Sequence, residues 1–366
     1  MKLNKQRQEK LVAQWIRPEI RALSAYHVPS AAGFVKLDAM ENPYSWPAPL
    51  VEEWAGLLRH VPLNRYPDPA ATELQARLRA TMAVPADVDL LLGNGSDEIL
   101  QLMMMAVAGP GRKILVPAPT FSMYHMIAKF VGLECVAVPL NGSDFSLDMT
   151  ALRLAVDAYQ PAVIFLAYPN NPTGNLFADE DILELIKAAP GLVVVDEAYH
   201  AFAAGRSFLS AVPEYENLVV LRTLSKMGLA GLRVGFALGA PAWLSELNKL
   251  RLPYNINVLS QASAEFALRH YDLLMAQAQD ICRDRTWLQQ QLANVPGMTV
   301  YPSDANFILF RTPARCADGI FMRLKERNVL IKNLNGSHAQ LSDCLRVTVG
   351  TPEENRAFLD ALLAVI

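Results

Sequence analysis

The sequence predicts an α/β fold, in which a mostly parallel sheet is covered by helices and followed by a smaller α+β unit. Short runs rich in Val, Ile and Leu recur through the middle of the chain. They are continuously apolar rather than alternating, which is typical of strands buried on both faces. Segments with helical spacing of apolar residues lie between them. This alternation predicts βαβ units and therefore a parallel sheet.

Six apolar runs are predicted as strands of that sheet: KILVPA (113–118), ECVAVPL (134–140), AVIFLAYP (162–169), LVVVDEAY (192–199), NLVVLRTLS (217–225) and VGFALG (234–239). Helices are predicted in the segments between them: SDEILQLMMMAVAG, PTFSMYHMIAKFVG, SLDMTALRLAVDAY and DEDILELIKAAP. The pattern changes at 240–257, where LPYNINVLS brings Pro and Asn. A long helical stretch, two strand-like runs (ANFILFR and CLRVTVG) and a final helix follow.

These changes predict three parts. Residues 1–36 form an N-terminal arm, because the segment is basic and amphipathic and lacks the apolar core of a signal peptide. We expect this arm to pack with the small domain or with a partner subunit. Residues 37–252 form the large domain that holds the sheet, and residues 253–366 form the small α+β domain.

Composition excludes several classes of protein. The chain has 366 residues, of which 52% are hydrophobic and 19% charged, with a net charge of −3. This balance does not favour binding to nucleic acid or to an anionic membrane. No uninterrupted apolar run reaches the length of a transmembrane helix, about 18 residues. The four cysteines are far apart and no HExxH motif occurs, so we expect no metal site and a cytoplasmic protein.

Polar residues follow several of the predicted strands. Asp196 and Tyr199 follow one strand, Asn171 follows another, and Ser225 and Lys226 follow a third. Ligands of open parallel sheets bind at the carboxyl ends of the strands. Each residue alone has an ordinary explanation, such as a strand-end carboxylate, a turn or a solvated lysine. Their occurrence together, in order, favours a functional site.

The residue types in this set suit one cofactor. An amine such as that of Lys226 can form a Schiff base with an aldehyde. An acid such as Asp196 can keep a ring nitrogen protonated, so that the ring withdraws electrons. Gly95 and Ser96 begin a predicted helix, and helix N-termini, hydroxyls and arginines bind phosphate. The set therefore predicts a site for pyridoxal phosphate.

The motifs resemble those of the fold-type I pyridoxal-phosphate-dependent aminotransferases, and most closely those of the histidinol-phosphate aminotransferases. The resemblance extends from about Ser24 to the C-terminus. It rests on eight segments: LDAMENPYSWP (37–47), RYPDP (65–69), GNGSDEIL (93–100), PTFSMY (119–124), YPNNPTGN (168–175), VVVDEAYHAF (193–202), LRTLSKMGLAGLRVGF (221–236) and CLRVTVGTPEEN (344–355).

The resemblance implies a role for each residue of the cofactor site. Lys226 is expected to link to the cofactor and later to move the substrate proton. Asp196 pairs with the ring nitrogen, while Asn171 and Tyr199 bind the phenolate oxygen. Phe121 stacks on the ring. The phosphate is expected to bind a further set of residues: Gly95, Ser96, Thr223, Ser225 and Arg233.

The resemblance also implies a homodimer with shared active sites, in which Tyr66 reaches the phosphate of the neighbouring subunit's cofactor. At the substrate end, the candidates are Tyr26, Asn171, Lys332 and Arg346, with Arg346 holding a carboxylate through its planar fork. Lys332 stands where many relatives have Arg, and a lysine is a point charge rather than a fork. Met40 and Ser45 also depart from the family pattern, LDANENPYG, in a loop near the site entrance.

The expected reaction is transamination between L-histidinol phosphate and 2-oxoglutarate, a step of histidine biosynthesis. Three alternatives remain open: an aminotransferase for aromatic or other amino acids, a threonine-phosphate decarboxylase, and a non-catalytic pyridoxal-phosphate-binding regulator. The regulator is disfavoured because such proteins carry an added DNA-binding domain, and only about two dozen residues precede the resemblance.

Overall fold

The computed structural model of the chain describes residues 5–25 and 30–366. The α-helices, in chain order, are α1 Lys5–Trp15, α2 Pro18–Arg21, α3 Ala48–Leu58, α4 Thr72–Thr81, α5 Ser96–Val107, α6 Ser122–Val131, α7 Met149–Tyr159, α8 Asp179–Ala188, α9 Pro241–Asn248, α10 Val258–Arg269, α11 Tyr271–Ala293, α12 Ala317–Glu326 and α13 Pro352–Leu363. The strands are β1 Val35–Lys36, β2 Asp89–Asn94, β3 Lys113–Ala118, β4 Glu134–Pro139, β5 Val163–Ala167, β6 Leu192–Asp196, β7 Leu218–Thr223, β8 Val234–Gly239, β9 Thr299–Val300, β10 Phe307–Arg311, β11 Val329–Leu330, β12 Lys332–Asn333 and β13 Cys344–Thr348.

The central sheet has seven strands in the order β2-β8-β7-β6-β5-β3-β4. Strands β3 to β7 pair in parallel, whereas β8 runs antiparallel to both of its neighbours, β2 and β7. The predicted α/β class and mostly parallel sheet are confirmed. All six apolar runs contain strands of this sheet. The seventh strand, β2, lies at one edge and leads directly into α5.

The two faces of the sheet carry separate cores, as the pleat of a buried strand requires. On β6, Val193 and Val195 belong to one core, while Val194 belongs to the other. Successive side chains continue to point to opposite faces of the sheet at the end of β6, so Asp196 and Glu197 lie on opposite faces. The first carboxylate meets the core that contains Tyr124, and the second meets the core on the other face.

The C-terminal part forms an antiparallel sheet in the order β12-β13-β10-β9, covered by α11, α12 and α13. The change between cores occurs along α11, because Leu274 packs into the core of the large sheet and Ala278 into that of the small one. Helix α10 packs on α3 and α4. The domain boundary that the sequence pattern predicts, between residues 252 and 253, stays a prediction.

The N-terminal segment contacts both units. Strand β1 pairs in parallel with β11 of the small unit. Helix α2 packs against α6 of the large unit, where the guanidinium of Arg17 donates to the carbonyl of Phe130 near the end of α6. Helix α1 has no buried residue. Packing of the arm against a partner subunit stays a prediction.

Candidate active site

A cavity of about 100 Å³ lies at the carboxyl ends of β5, β6 and β7. The structure brings nine of the predicted residues to its walls: Ser96, Phe121, Asn171, Asp196, Tyr199, Thr223, Ser225, Lys226 and Arg233. These residues come from five segments that are distant in sequence. The parallel strands bring them together because their carboxyl ends share one edge of the sheet.

Lys226 lies in a short 3-10 turn, Ser225–Met227, that directly follows β7. Its Nζ donates a hydrogen bond to the carbonyl of Ala39 at 3.3 Å and lies 5.9 Å from the ring centre of Tyr199. Burial, and then the positive charge of Arg346, lower the pKa of Lys226 to about 8. Within residues 5–25 and 30–366, no carboxylate forms an ion pair with this amine. The neutral, nucleophilic form is therefore accessible near neutral pH.

Asp196 is the last residue of β6 and is buried. Burial raises the pKa of Asp196 to about 7, against the opposing effect of two hydrogen bonds. Tyr124 Oη donates to Oδ2 at 2.8 Å, and the backbone N–H of Ala198 donates to Oδ1 at 3.2 Å. No cation among the described residues pairs with this carboxylate. A positively charged ligand group would supply the missing counter-charge.

One end of the cavity is built for an anion. Helix α5 begins at Ser96, which lines the cavity, so the N-terminus of α5 lies at this end, and helix N-termini attract anions. Ser225 Oγ accepts hydrogen bonds from Thr223 Oγ1 at 2.9 Å and from Arg233 Nη1 at 3.4 Å. Gly95 has a φ of +82°, and a Cβ there would lie 2.5 Å from Arg233 Nη2. Glycine is therefore required for the guanidinium to approach the helix N-terminus.

The opposite side of the cavity carries a chain of side-chain contacts. Arg346, on β13, donates through Nη1 to Asn171 Oδ1 and through Nη2 to the carbonyl of Asp38 at 3.2 Å. Asn171 Nδ2 in turn donates to Tyr199 Oη at 3.0 Å. Arg346 also lies over the ring of Phe307, 5.1 Å from its centre. This chain joins the small unit to the wall of the cavity, and Arg346 is buried beside it.

Three predicted residues are not placed in the cavity of this single chain. Tyr66 is 79% exposed and stacks on Tyr254, with ring centres 4.5 Å apart. Lys332 is exposed on β12, directly across the strand pair from Arg346. Tyr26 lies outside the described residues. The roles predicted for all three stay predictions, as does stacking of Phe121 on a cofactor ring.

Two side chains of the site carry no prediction from the sequence. Tyr124 bonds to Asp196, and Asp97 lies on the cavity wall with Oδ2 3.8 Å from Arg233 Nη2. Tyr124 lies in the motif PTFSMY, three residues after Phe121. This is the helical spacing that puts two side chains on one face. That spacing is the signal that could have identified it.

Other kinds of site find little support in the described part of the chain. No group of three or more His, Cys, Asp or Glu side chains there could hold a metal ion. Among the described helices, none is long and apolar enough to cross a membrane. A second cavity, of about 250 Å³, is lined by Arg251, whose guanidinium already donates to Asn248, Asn255 and the carbonyl of Pro69.

The chain is similar to known proteins over nearly all its length. Residues 32–362 match the family described as aminotransferase class I and II. Histidinol-phosphate aminotransferase 2 of Nitrosococcus oceani is 58% identical, over 96% of this chain and 98% of the relative. Histidinol-phosphate aminotransferase 1 of Ralstonia nicotianae is 52% identical, over 97% of this chain and 95% of the relative.

The fold is also found in solved structures. The histidinol-phosphate aminotransferase from Sinorhizobium meliloti, solved in complex with pyridoxal-5'-phosphate, superposes with a TM-score of 0.85. The match covers 96% of this chain and 97% of that one, at 24% sequence identity. At this identity the likeness establishes the fold of the chain.

Proposed function

The chain belongs to the aminotransferase class I and II family, and we propose that it moves the amino group of L-histidinol phosphate to 2-oxoglutarate, giving imidazole acetol phosphate and L-glutamate. The observation that carries the choice of substrate is identity above half, over nearly the full length, to two relatives that bear this activity in their names. The product of this transamination belongs to histidine biosynthesis.

The residues of the cavity fit pyridoxal phosphate, the cofactor of the family. Asp196 is a buried carboxylate with which no cation of residues 5–25 and 30–366 pairs, and this suits a protonated ring nitrogen. Ser225, Arg233 and the N-terminus of α5 converge as a phosphate site should. When bound, the cofactor supplies an aldehyde that takes up amino groups and a ring that withdraws electrons from the substrate carbon.

The chain's own residues then perform four tasks. Lys226, with its lowered pKa, provides the amine that attaches the aldehyde and a base that takes and returns the substrate proton. Asp196 holds the ring nitrogen's proton. Asn171 and Tyr199 donate to the phenolate oxygen in this proposal, which is supported by their position on the cavity wall and by the hydrogen bond from Asn171 Nδ2 to Tyr199 Oη.

Recognition of the two substrates is assigned to the small unit. Histidinol phosphate carries a phosphate and no carboxylate, whereas glutamate carries two carboxylates, so one cationic region must accept both. Arg346 is buried beside Asn171 and presents a planar fork suited to a carboxylate. Lys332 shares the same face of the sheet, because directly opposite residues of antiparallel strands point the same way. Tyr26, which lies outside the described residues, stays a predicted substrate contact.

We propose a homodimer in the cytoplasm with active sites shared between subunits. The exposed Tyr66, held by stacking on Tyr254, supports a role outside its own cavity. Mixing Tyr66→Ala subunits with Lys226→Ala subunits tests this, because each hybrid dimer would contain one site with both native groups. Activity should return on mixing. Hybrids that form without activity would exclude a role for Tyr66 in the partner's site.

A panel of amino donors with 2-oxoglutarate tests the proposed reaction. Histidinol phosphate should give a higher kcat/KM than phenylalanine or aspartate. Faster turnover of phenylalanine would move the assignment to an aromatic aminotransferase, and release of carbon dioxide from threonine phosphate would move it to a decarboxylase. A protein that binds the cofactor but turns over no donor would be a binding module.

A further inference from the structure

Tyr124 occupies a position that its packing determines closely. It lies in the first turn of α6 and is fully buried, with 0% of its surface exposed. Its ring stacks on Phe165, with centres 5.1 Å apart and planes at 15°. Its other neighbour is Phe121, which meets it edge to face at 5.5 Å. Because the ring is held on two sides, its hydroxyl has a fixed place.

That hydroxyl is directed at the acid of the cavity. Tyr124 Oη donates to Asp196 Oδ2 at 2.8 Å, and the side chain of no other described residue donates to this carboxylate. The remaining oxygen, Oδ1, receives the N–H of Ala198. The same tyrosine therefore touches the acid predicted to meet the cofactor ring nitrogen and the phenylalanine predicted to stack on the ring.

We propose that Tyr124 is a positioning residue of the reaction, which orients Asp196 and keeps its carboxylate ionised toward the cofactor's ring nitrogen. The inference rests on the proposed function and deepens it. A buried carboxylate without a cation depends on its hydrogen-bond donors to stay charged. Other acidic or ionisable groups near it, Asp97, Glu197 and Tyr199, do not supply a donor to it. The phenol does so from a position that solvent does not reach.

A substitution of one atom tests this role. Tyr124→Phe keeps the ring and its stacking but removes the hydroxyl. The control is Tyr168→Phe, which also removes a buried tyrosine's hydrogen bond to a carboxylate, that of Asp179 at 2.6 Å, away from the cavity. Both variants should stay folded, as thermal unfolding of the cofactor-free proteins would verify.

The first measurement is titration of cofactor-free protein with pyridoxal phosphate. Tyr124→Phe should bind it about tenfold more weakly, the effect expected for a lost hydrogen bond to a charged group. The loss should be larger at pH 6 than at pH 8.5, because without its donor Asp196 takes up a proton more readily. Equal affinity to the native protein at both pH values would overturn the proposal, and Tyr168→Phe should match the native protein.

The second measurement separates action through Asp196 from a general packing effect. In an Asp196→Asn background, loss of the Tyr124 hydroxyl should change cofactor affinity less than twofold, because the charged acceptor is already gone. A full tenfold loss in that background would show that Tyr124 acts independently of Asp196. In steady-state assays, kcat should fall about tenfold while the KM for glutamate stays within twofold.

Failure of the inference differs visibly from failure of the proposed function. If native protein binds pyridoxal phosphate and transaminates any donor, but Tyr124→Phe is unchanged, only the role of Tyr124 is wrong. If native protein does not bind pyridoxal phosphate, the proposed function is wrong, and the role of Tyr124 fails with it.

Discussion

Asp196 and Glu197 are neighbours in sequence and are both buried, yet their carboxylates have different partners on the two faces of the sheet. Glu197 receives Arg222 Nε at 2.9 Å, Ser207 Oγ at 2.9 Å and the N–H of Phe208 at 2.6 Å. Asp196 receives one hydroxyl and one N–H, and none of the cations in the described part of the chain pairs with it. The negative charge of Glu197 is thus balanced by an arginine of the chain itself. The negative charge of Asp196, in the cavity, is left for a positively charged ligand group to balance.

The buried cations show the same contrast. Arg222, on the face of Glu197, is paired with that carboxylate at 2.8 Å. Lys226, four residues later on the face of the cavity, donates to the carbonyl of Ala39, and no carboxylate of the described residues forms an ion pair with it. Burial without a counter-charge lowers the pKa of Lys226 and raises that of Asp196, which brings both toward neutral pH. Perturbed groups of this kind gather at functional sites.

The largest effect should come from Lys226→Ala. Transamination should fall by several orders of magnitude, since the attaching amine and the proton carrier are lost together. The free energy of unfolding of the cofactor-free protein should not decrease, because no ion pair is broken. Steady-state assays and urea denaturation measure the two quantities. The surface substitution Lys187→Ala is the control, and retention of native turnover by Lys226→Ala would refute the assignment of the site.

On the opposite face of the sheet, Glu197→Gln should lower stability and leave activity nearly unchanged, the reverse of the result expected for Lys226→Ala. It leaves Arg222 buried without its anion, which should cost about 3–5 kcal/mol of unfolding free energy. The activity of each folded molecule should change little, because Glu197 does not reach the cavity. Urea denaturation and activity per bound cofactor measure this, with the exposed Glu180→Gln as control. A large loss of turnover in well-folded Glu197→Gln protein would show that the two faces are not separate.

The pH dependence of stability sharpens the comparison for Asp196. Its pKa rises from 3.8 to about 7 on folding, so the folded protein keeps this proton where the unfolded chain loses it. This contribution therefore stabilises the cofactor-free protein at low pH and is lost as pH rises from about 4 to about 7. The slope approaches about 1.4 kcal/mol per pH unit. Asp196→Asn should remove that slope in urea titrations between pH 5 and 7, whereas an unchanged slope would place the proton elsewhere.

The smallest effect is expected at the exposed rim, with Lys332→Met. Loss of a charge-assisted contact to substrate phosphate should cost about 1.5–3 kcal/mol, or about 10- to 150-fold in kcat/KM for histidinol phosphate. A neutral aromatic donor should be affected much less. Lys325→Met, an exposed lysine of the same unit, is the control. Equal losses for charged and uncharged donors would mean that Lys332 does not bind substrate phosphate.

Much of the cavity follows from local pattern. The apolar runs predict the strands because burial on both faces requires continuous apolar residues, and polar residues at their ends predict the edge where ligands bind. The local pattern does not predict a role for Tyr124, because a tyrosine on an apolar helix face resembles an ordinary core residue. The three-residue spacing puts Tyr124 on the same face as Phe121, but its hydrogen bond to Asp196 spans 72 positions of sequence, and local spacing does not encode that contact.

The sequence by itself determined the order of the strands and helices, the residue types at each strand end and the alternation that turns Asp196 and Glu197 to opposite faces. These properties depend on backbone geometry over a few residues. Only the tertiary structure decided which partners each group meets. Arg346 reaches Asn171 across 175 positions, and Lys226 reaches the carbonyl of Ala39 across 187. Such contacts depend on how sheets and loops pack, and they set the burial that makes Lys226 and Asp196 reactive.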